Sequence, residues 1–400
     1  MYFSELATKV VPPERGDIPG GQRGALTAEL CAAIFSYLPR KDQRQRGEQY
    51  LRALLETQGR KSIMNMAAGM DDPAALQRLH HFISNSTWDW KPMRAALSMF
   101  IERTIAPRAR VVHSMPIPKL GEHSVGVAEG FDRRLGRSFR GQHAIGVWYA
   151  SEETSAPASW RLFLPELWAD DEARRFEVPD GISAETLDEC ASAVVLEGAR
   201  HDLARPLPVI LDVCSNEPVA TVGRFSDCGV PVIARLAPGS GLLVHAPVLQ
   251  GHQQRRLSIG QLLELVKGRR RRVPWVDPVG PTALRHSLVA TVRVEPSRLP
   301  APIPGGTDTG LVVLAEWSDL HGEPTGIWLT NMNGLSPAAL VRLTKLADRV
   351  NQDRASIGEE VGLRDFGGRS FNGWHRHITL ASAAHALEVV APLRQRAGAA

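Results

Sequence analysis

The segment Arg110–Val127, RVVHSMPIPKLGEHSVGV, decides the fold that the rest of the chain is expected to adopt. It opens with the β-branched pair Val111 and Val112, passes through a turn marked by proline and glycine, and continues into a second alternating run at His123–Val127. Two such runs separated by turn residues predict a β-hairpin. We therefore expect a β-sheet to begin here.

The composition predicts a folded protein. The chain has 400 residues, of which 43% are hydrophobic, enough for two or three packed units. Its formal net charge is +4, and such a mild excess favours a polyanionic partner only where the cations cluster. The four cysteines lack the close pairs of a zinc or redox site, which favours reduced thiols in the cytoplasm. Because no apolar run could span a bilayer and no signal-peptide pattern is present, we expect no membrane partner.

The composition and the spacing of apolar residues change along the chain. Prolines and glycines dominate the start, apolar residues at three-to-four spacing then predict helices, and later β-branched runs alternate with helical segments. The expected segments are a flexible arm (1–23), a helical domain (24–107), the first part of a core (108–237), a β-rich insertion (238–335) and closing helices of the core (336–390). The predicted fold class is α/β, or α+β overall, with a mixed sheet.

Individual elements follow from the same patterns. Strands are expected at 110–115, 122–129, 142–150, 160–164, 208–213, 230–236, 287–294 and 310–315. Helices of the core are expected at 183–197 and 336–365, the second with Ser336 as its N-cap and Pro337 in its first turn.

Two basic clusters are not balanced by acidic residues. The first lies in the helical domain, and the second is the run GRRRRVPW that follows Lys267 in the insertion. A run of charges is commonly only a solvated surface or a solvated loop. Clustered cations can also follow a phosphate backbone, which makes binding strongly dependent on salt. The candidate DNA-binding residues of these clusters are Arg40, Lys41, Arg44, Arg46, Arg60 and Lys61, and Lys267, Arg269, Arg270, Arg271 and Arg272.

Several local patterns match one known family in the same order. The opening segment fits V-V-D-D-T-G-F-P-K-x-G-x-H-S-V-G-V at Val111, Val112, Pro118, Lys119, Gly121 and His123–Val127, and departs from it at the two aspartates and the threonine. The helical domain carries LPRKDQRQRGEQY, GRKS and LHHFISNSTWDW, and RLFLPELWADDEARR begins at Arg161. In these patterns the chain resembles the DDE transposases of insertion sequences, in particular the insertion-sequence 701 type.

This resemblance implies an overall plan for the molecule. It implies an RNase H-like mixed sheet, a helical DNA-binding domain before that sheet, and a β-rich insertion before the last helix. It also adds Lys119 to the candidate DNA-binding residues.

The resemblance implies a catalytic site as well, and the chain departs from it. Family members hold two divalent metal ions with three carboxylates, because Mg²⁺ prefers charged oxygen ligands. The first aspartate falls on His113 or Ser114, whereas the second is retained as Asp212. The glutamate of the closing helix falls on Asn351. We therefore expect no bound metal and no cofactor, and Mg²⁺ only if other carboxylates rebuild the site.

Two alternatives stay open from the sequence. In the first, the chain is an active transposase or metal-dependent endonuclease with a reorganised site, for which the acidic candidates are Glu122, Glu129, Asp132, Glu359 and Glu360. In the second, the remodelled cleft binds a protein or a small molecule. A serine–histidine–aspartate triad is disfavoured, because His113 and Ser114 are neighbours on a strand and point to opposite faces.

A chain that keeps the family's sequence patterns but lacks two of its three catalytic carboxylates favours a particular function. We expect a domesticated transposase that binds double-stranded DNA without cutting it. Such a protein would act as a sequence-specific transcriptional regulator, and as a homodimer because transposases pair two DNA ends. Its expected location is the cytoplasm, in association with the nucleoid.

Overall fold

The described part of the molecule covers most of the chain. The computed structural model describes residues 20–121, 123–132, 136–166, 168, 178–179, 182–199, 206–237, 239–247, 249, 255–280, 283–296 and 310–399. Within these ranges, none of the helices combines the length and the apolarity that crossing a membrane requires.

The N-terminal part is helical, as predicted. Its helices are α1 (Gly20–Phe35), α2 (Lys41–Glu56), α3 (Ile63–Ala68), α4 (Ala75–His80) and α5 (Lys91–Ile105), with one π-helical turn (His81–Asn85) after α4. Helix α1 begins at Gly20, so the last four residues of the expected arm are helical, and residues 1–19 of that arm lie outside the described residues. Helix α5 ends where Ala106 adopts a left-handed φ of 44° and Pro107 follows, which prevents another helical turn.

The rest of the described chain is built on a large mixed sheet. Its strands are β1 (Ala109–Pro118), β2 (Ala128–Asp132), β3 (Arg137–Ala150), β4 (Ser155–Leu162), β5 (Val209–Ser215), β6 (Val232–Leu236), β7 (Leu243–His245), β8 (Leu257–Ser258), β9 (Arg271–Val276), β10 (Leu284–Pro296), β11 (Leu311–Trp317) and β12 (Gly326–Thr330). The later helices are α6 (Leu187–Ala199), α7 (Pro218–Asp227), α8 (Ile259–Val266), α9 (Pro337–Asp353) and α10 (Phe371–Ala399).

The central strands follow the expected RNase H-like plan. Strand β1 pairs antiparallel with β3 and parallel with β5, and β5 pairs parallel with β6. Strand β4 pairs antiparallel with β3 on the side away from β1. The mixed α/β architecture therefore agrees with the predicted fold class.

The insertion extends this sheet. Strand β12 pairs antiparallel with β6, and β11, β10 and β9 follow in order. Because β9 pairs only with β10 among the described strands, it is an edge strand. The β-rich insertion and the core thus share one continuous sheet.

One strand prediction was wrong. Residues 123–127 form a turn, and the following strand β2 begins only at Ala128 and pairs with β3, not with β1. Gly126 has a φ of 76°, which an extended strand does not allow, and the Val125 backbone N–H donates to the Arg369 carbonyl instead. The hairpin partner of β1 is therefore β3. Strand β4 also begins earlier than predicted, at Ser155.

Helices cover both faces of the sheet, according to the alternation of side chains along each strand. Val112 and Leu211 pack in the apolar cluster with α6 and α7. Val111 and Ile210 point the other way, into the cluster with α9 and α10. The predicted closing helix is divided, because α9 ends at Asp353 and continues as a π-helical turn (Arg354–Gly358).

A buried arginine ties the helical domain to the core. Arg94 of α5 donates to the Trp160 carbonyl at 2.7 Å and to the Thr379 hydroxyl at 2.8 Å, and its third contact is His375 Nδ1 at 2.9 Å. Burial lowers the pKa of Arg94 to about 9. These contacts fix α5 against both β4 and α10.

Candidate functional site

The site begins where two parallel strands run side by side. The register pairs Val112 with Leu211, so the next residues, His113 and Asp212, are neighbours on β1 and β5. His113 Nδ1 lies 3.3 Å from Asp212 Oδ2, and both side chains are buried. The structure thereby resolves one open assignment: His113, and not Ser114, stands beside the retained aspartate.

A guanidinium holds the other oxygen of Asp212. Arg235 comes from β6, where the preceding residue Ala234 pairs with Leu211. Its Nε donates to Asp212 Oδ1 at 2.7 Å, and its guanidinium carbon lies 4.2 Å from the centre of the Trp328 ring. Asp212 is therefore enclosed between an imidazole and an arginine that an aromatic ring supports.

Ser114 belongs to the opposite face of the sheet. Its hydroxyl forms a short contact with Nε2 of His143 on β3. His113 and Ser114 consequently have different partners, and a triad of Ser114, His113 and Asp212 is not formed.

The closing helix α9 carries Asn351, the expected site residue, and Asp348. Asn351 donates its side-chain N–H to the Ala347 carbonyl of its own helix at 2.8 Å. Asp348 lies one turn earlier on the same side of α9. Asp348 is exposed, but the loss of water around its carboxyl group raises its pKa. The charge of Lys345 opposes this increase, the charges of Asp212 and Glu316 add to it, and that of Arg235 again opposes it. The charge of Asp348 on α9 thus interacts with the charge of Asp212.

A second charged cluster lies beside the first. Lys345 of α9 places Nζ 2.5 Å from Glu316 Oε1 and 4.3 Å from the centre of the Trp275 ring. Glu316 also accepts the Ser287 hydroxyl, which in turn accepts Trp275 Nε1–H at 2.8 Å. Asp212 and Glu316 thus each have a basic partner of their own.

Neither Arg235 nor Asp348 was singled out in the sequence. Arg235 could have been found, because the RNase H-like strand order places the end of strand 230–236 beside Asp212. Asp348 could have been found from its spacing of three residues to Asn351, which puts both on one helix face.

A DDE-type pair of magnesium ions does not fit these residues. The residue beside Asp212 on β1 is the imidazole of His113, Asp212 is held by Arg235, and Asn351, where the resemblance expects the glutamate, carries no charge. Within the described ranges, no three or more His, Cys, Asp or Glu side chains are arranged to hold a metal ion.

Two of the acidic residues considered for a rebuilt site, Glu359 and Glu129, have basic partners of their own. Glu359 pairs with Arg364 at 2.7 Å, next to the exposed Glu360, and Glu129 on β2 pairs with Arg140 at 3.8 Å. Glu122 and the side chain of Asp132 lie outside the described residues.

Comparison with known proteins decides the family. A family model described as a DDE superfamily endonuclease matches residues 33–291, well over half of the chain. The chain belongs to this DDE superfamily. The match includes His113 and Asp212 and ends before α9. Asn351 and Asp348 lie outside the matched range, so they are considered only because of the structure and the resemblance. A search of the curated proteins gave no match.

The first basic cluster surrounds the start of α2. Arg40, Lys41 and Arg44 are exposed. Arg40 and Arg46 both approach Asp42, each at 3.6 Å, so one carboxylate partly offsets two cations. This leaves a net basic surface at the helix N-terminus.

Lys61 does not belong to that surface. Only 5% of the residue is exposed, its ammonium donates to the Thr57 carbonyl, and its backbone N–H donates to Asp365 at 2.7 Å. A lysine in this position cannot reach a phosphate. Arg60 is exposed and lines a groove together with Lys119.

The second basic cluster is not a loop. A short 3₁₀ turn at Lys267–Arg269 leads into β9, so Arg271 and Arg272 lie on an edge strand. The residues Arg269, Arg271 and Arg272 are exposed. Arg270 is held instead, since it donates to the Lys267 carbonyl at 2.7 Å and the Leu320 carbonyl at 3.0 Å and lies over the Trp317 ring. Lys267 pairs with Glu264 at 3.2 Å.

Proposed function

We propose that this DDE superfamily chain is a transposase-derived DNA-binding protein, related to the insertion-sequence 701 type, that does not cut DNA. It binds double-stranded DNA as a homodimer and regulates transcription at specific sequences. The observation that supports the proposal most is the environment of Asp212, whose two oxygens already contact Arg235 and His113. A metal ion there would have to displace a guanidinium, and the degenerate positions supply no charged oxygen to replace it.

The surface proposed for DNA has two parts. The exposed cations at the start of α2 contact one stretch of phosphate backbone, together with the N-terminal end of that helix. The arginines of the β9 edge, Arg269, Arg271 and Arg272, contact another. Charged residues on an edge strand also discourage pairing between sheets, so their presence alone does not require DNA. Among the described residues, no carboxylate forms an ion pair with any of these three arginines, which favours a polyanion.

The test is selection and sequencing of the DNA fragments that the purified full-length protein binds, at moderate salt and without divalent metal. We expect a discrete motif that lies in promoter regions, followed by altered transcription from those promoters when the gene is deleted. Recovery of inverted ends that flank its own gene would point to a transposase instead. No enriched sequence would contradict the proposal.

A metal-dependent endonuclease is the second candidate, and the position of Asp348 favours it. Burial raises the pKa of the Asp348 carboxyl and the charge of Asp212 adds to the increase, so the two carboxylates are near enough for their charges to interact. Nicking of supercoiled plasmid distinguishes the candidates. We expect no nicking with Mg²⁺ or Mn²⁺. Metal-dependent nicking that disappears in Asp212→Ala and Asp348→Ala would establish the enzyme and refute the inactive assignment.

A further inference from the structure

A groove of about 440 Å³ lies where the helical domain meets the core. Three parts of the chain form it: the loop after α2, the end of β1, and the segment that follows the π-helical turn of residues 354–358. The lining residues are Arg60, Ile117, Pro118, Lys119, Leu120, Glu359, Arg364 and Asp365. The groove is separate from the cleft of Asp212 along β1, since Lys119 lies six residues beyond His113 on an extended chain.

Two cations share the groove without a carboxylate bonded to either in the described structure. Lys119 donates its ammonium to the Phe366 carbonyl, and the guanidinium of Arg60 is exposed. Burial lowers the pKa of Lys119 to about 8; the nearby charge of Arg60 acts in the same direction, and the charge of Asp365 opposes it. The ammonium of Lys119 and the guanidinium of Arg60 each have further N–H groups that can donate to a ligand. This pair therefore favours a ligand with several negative oxygens.

The other residues that line the groove limit the kind of anion that it can bind. Glu359 and Asp365 border the same groove, with Glu359 paired to Arg364 at 2.7 Å. Carboxylates repel a simple anion, whereas they accept hydrogen bonds from hydroxyl and amino groups. The end of β1 adds an apolar wall of Ile117, Pro118 and Leu120. A volume of this size suits a small organic molecule and exceeds what a lone phosphate needs.

We propose that this groove binds a phosphorylated nucleotide, with Arg60 and Lys119 on the phosphate and the carboxylates on hydroxyl or amino groups. The nucleotide can come from two sources. One is a free mononucleotide, which would make the groove an effector site. The other is an unpaired nucleotide at the end of a DNA strand, and only this source rests on the proposed DNA-binding function.

Titration calorimetry on the full chain tests the proposal, with AMP, CMP, GMP, TMP and inorganic phosphate as separate probes. A second arm compares duplexes that carry a single-stranded overhang with and without a 5′-phosphate. We expect nucleotide binding in at least one arm, weakened ten-fold or more by Arg60→Gln and by Lys119→Met. Because Lys119 is partly buried, its variant could fail to fold, and the exposed Arg60 provides the independent variant. Arg108→Gln removes the same charge from an exposed side chain outside the groove and is expected to leave nucleotide affinity unchanged.

The outcomes separate the sources and the two proposals. Binding of a mononucleotide supports the effector source, and binding of only the phosphorylated overhang supports the strand end. Equal affinity for inorganic phosphate and for every nucleotide would overturn the nucleotide assignment. So would the lack of binding in both arms, or an affinity that Arg60→Gln leaves intact. If the protein binds a mononucleotide but selects no DNA, the proposed function fails while the groove assignment stands.

Discussion

Arg235 and Asp212 are neighbours on the parallel strands β6 and β5, and their side chains meet with Nε 2.7 Å from Oδ1. The carboxylate of Asp212 is fully buried, while the arginine is partly exposed and lies over Trp328. In a metal-dependent site the charge of a buried carboxylate is balanced by a cation from solution. Here the chain supplies the cation itself, so a charged carboxylate is kept in the interior without a metal.

Replacement of Arg235 by methionine should destabilise the fold. It removes the guanidinium that balances the buried Asp212, and an uncompensated buried charge costs about 3 kcal/mol or more of unfolding free energy. Urea unfolding measures this decrease. The double variant Arg235→Met, Asp212→Asn also removes the buried negative charge. It should recover about half of the unfolding free energy that the single variant loses. A double variant as unstable as the single one would show that the pair is not the cause.

The arginines of the β9 edge should control the salt dependence of DNA binding. Alanine at Arg269, Arg271 and Arg272 should weaken binding to every duplex and lower the salt slope by about one unit for each phosphate that the protein no longer neutralises. Measurement of the dissociation constant across a series of salt concentrations gives the slope. The matched control replaces three other exposed arginines, Arg103, Arg108 and Arg396, at equal net charge. If both triple variants lower the slope equally, the β9 edge does not contact DNA specifically.

Removal of divalent metal should leave DNA affinity unchanged. The residues around Asp212 already balance its charge, so neither binding nor the fold depends on a metal there. Fluorescence anisotropy with excess EDTA, compared with added Mg²⁺, makes the measurement at constant ionic strength. A drop in affinity or in melting temperature on chelation would reveal a metal site that the surroundings of Asp212 do not explain.

Acid should destabilise the protein through three buried histidines of α10. Burial lowers the pKa of His377 to about 4 and of His385 to about 3, and lowers that of His375 well below its usual value. Since unfolded histidine binds a proton near pH 6.5, the stability that these neutral rings provide is complete above that pH. It decreases as the pH falls from about 6.5 towards 4, because only the unfolded state takes up protons there.

The slope of unfolding free energy against pH tests this directly. Each histidine contributes about 1.4 kcal/mol per pH unit inside that window. His385→Leu should therefore reduce the slope by the contribution of one proton, about 1.4 kcal/mol per pH unit, whatever its effect on stability at pH 7. The exposed His81 provides the control, since His81→Gln should leave the slope as it is. An unchanged slope in His385→Leu would contradict the assignment.

The antiparallel pair β1 and β3 should not tolerate a side chain at Gly141. A Cβ at this position would lie 2.2 Å from the Ile117 carbonyl oxygen, which is backbone and cannot rotate away. We expect Gly141→Ala to cost about 1–3 kcal/mol of unfolding free energy. Gly260→Ala in α8 is the matched control, because its Cβ meets nothing within 4 Å and alanine favours a helix by up to about 1 kcal/mol. Equal stabilities of the two variants would show that the strands shift to make room.

Local patterns predicted most of the fold but not every element. The alternation along 110–115 and 208–213 predicted β1 and β5 correctly, because the two faces of each strand pack against different layers of helices. The same alternation at 123–127 was misleading. Val125 and Val127 are buried, as a strand would bury them, yet the positive φ of Gly126 turns the chain. Burial of alternate residues is a weaker signal than the backbone conformation that a glycine permits.

The sequence by itself predicted the helical and β-rich parts and, through the family resemblance, a retained Asp212 with His113 or Ser114 and Asn351 at the other two positions. Only the tertiary structure decided which groups surround Asp212, that the charge of Asp348 on α9 interacts with it, and that Lys61 is buried. The reason is physical. Helices and strands follow from the spacing of neighbouring residues, whereas Arg235, Asp212 and Asp348 meet only after strand order and register are fixed by packing across the whole sheet.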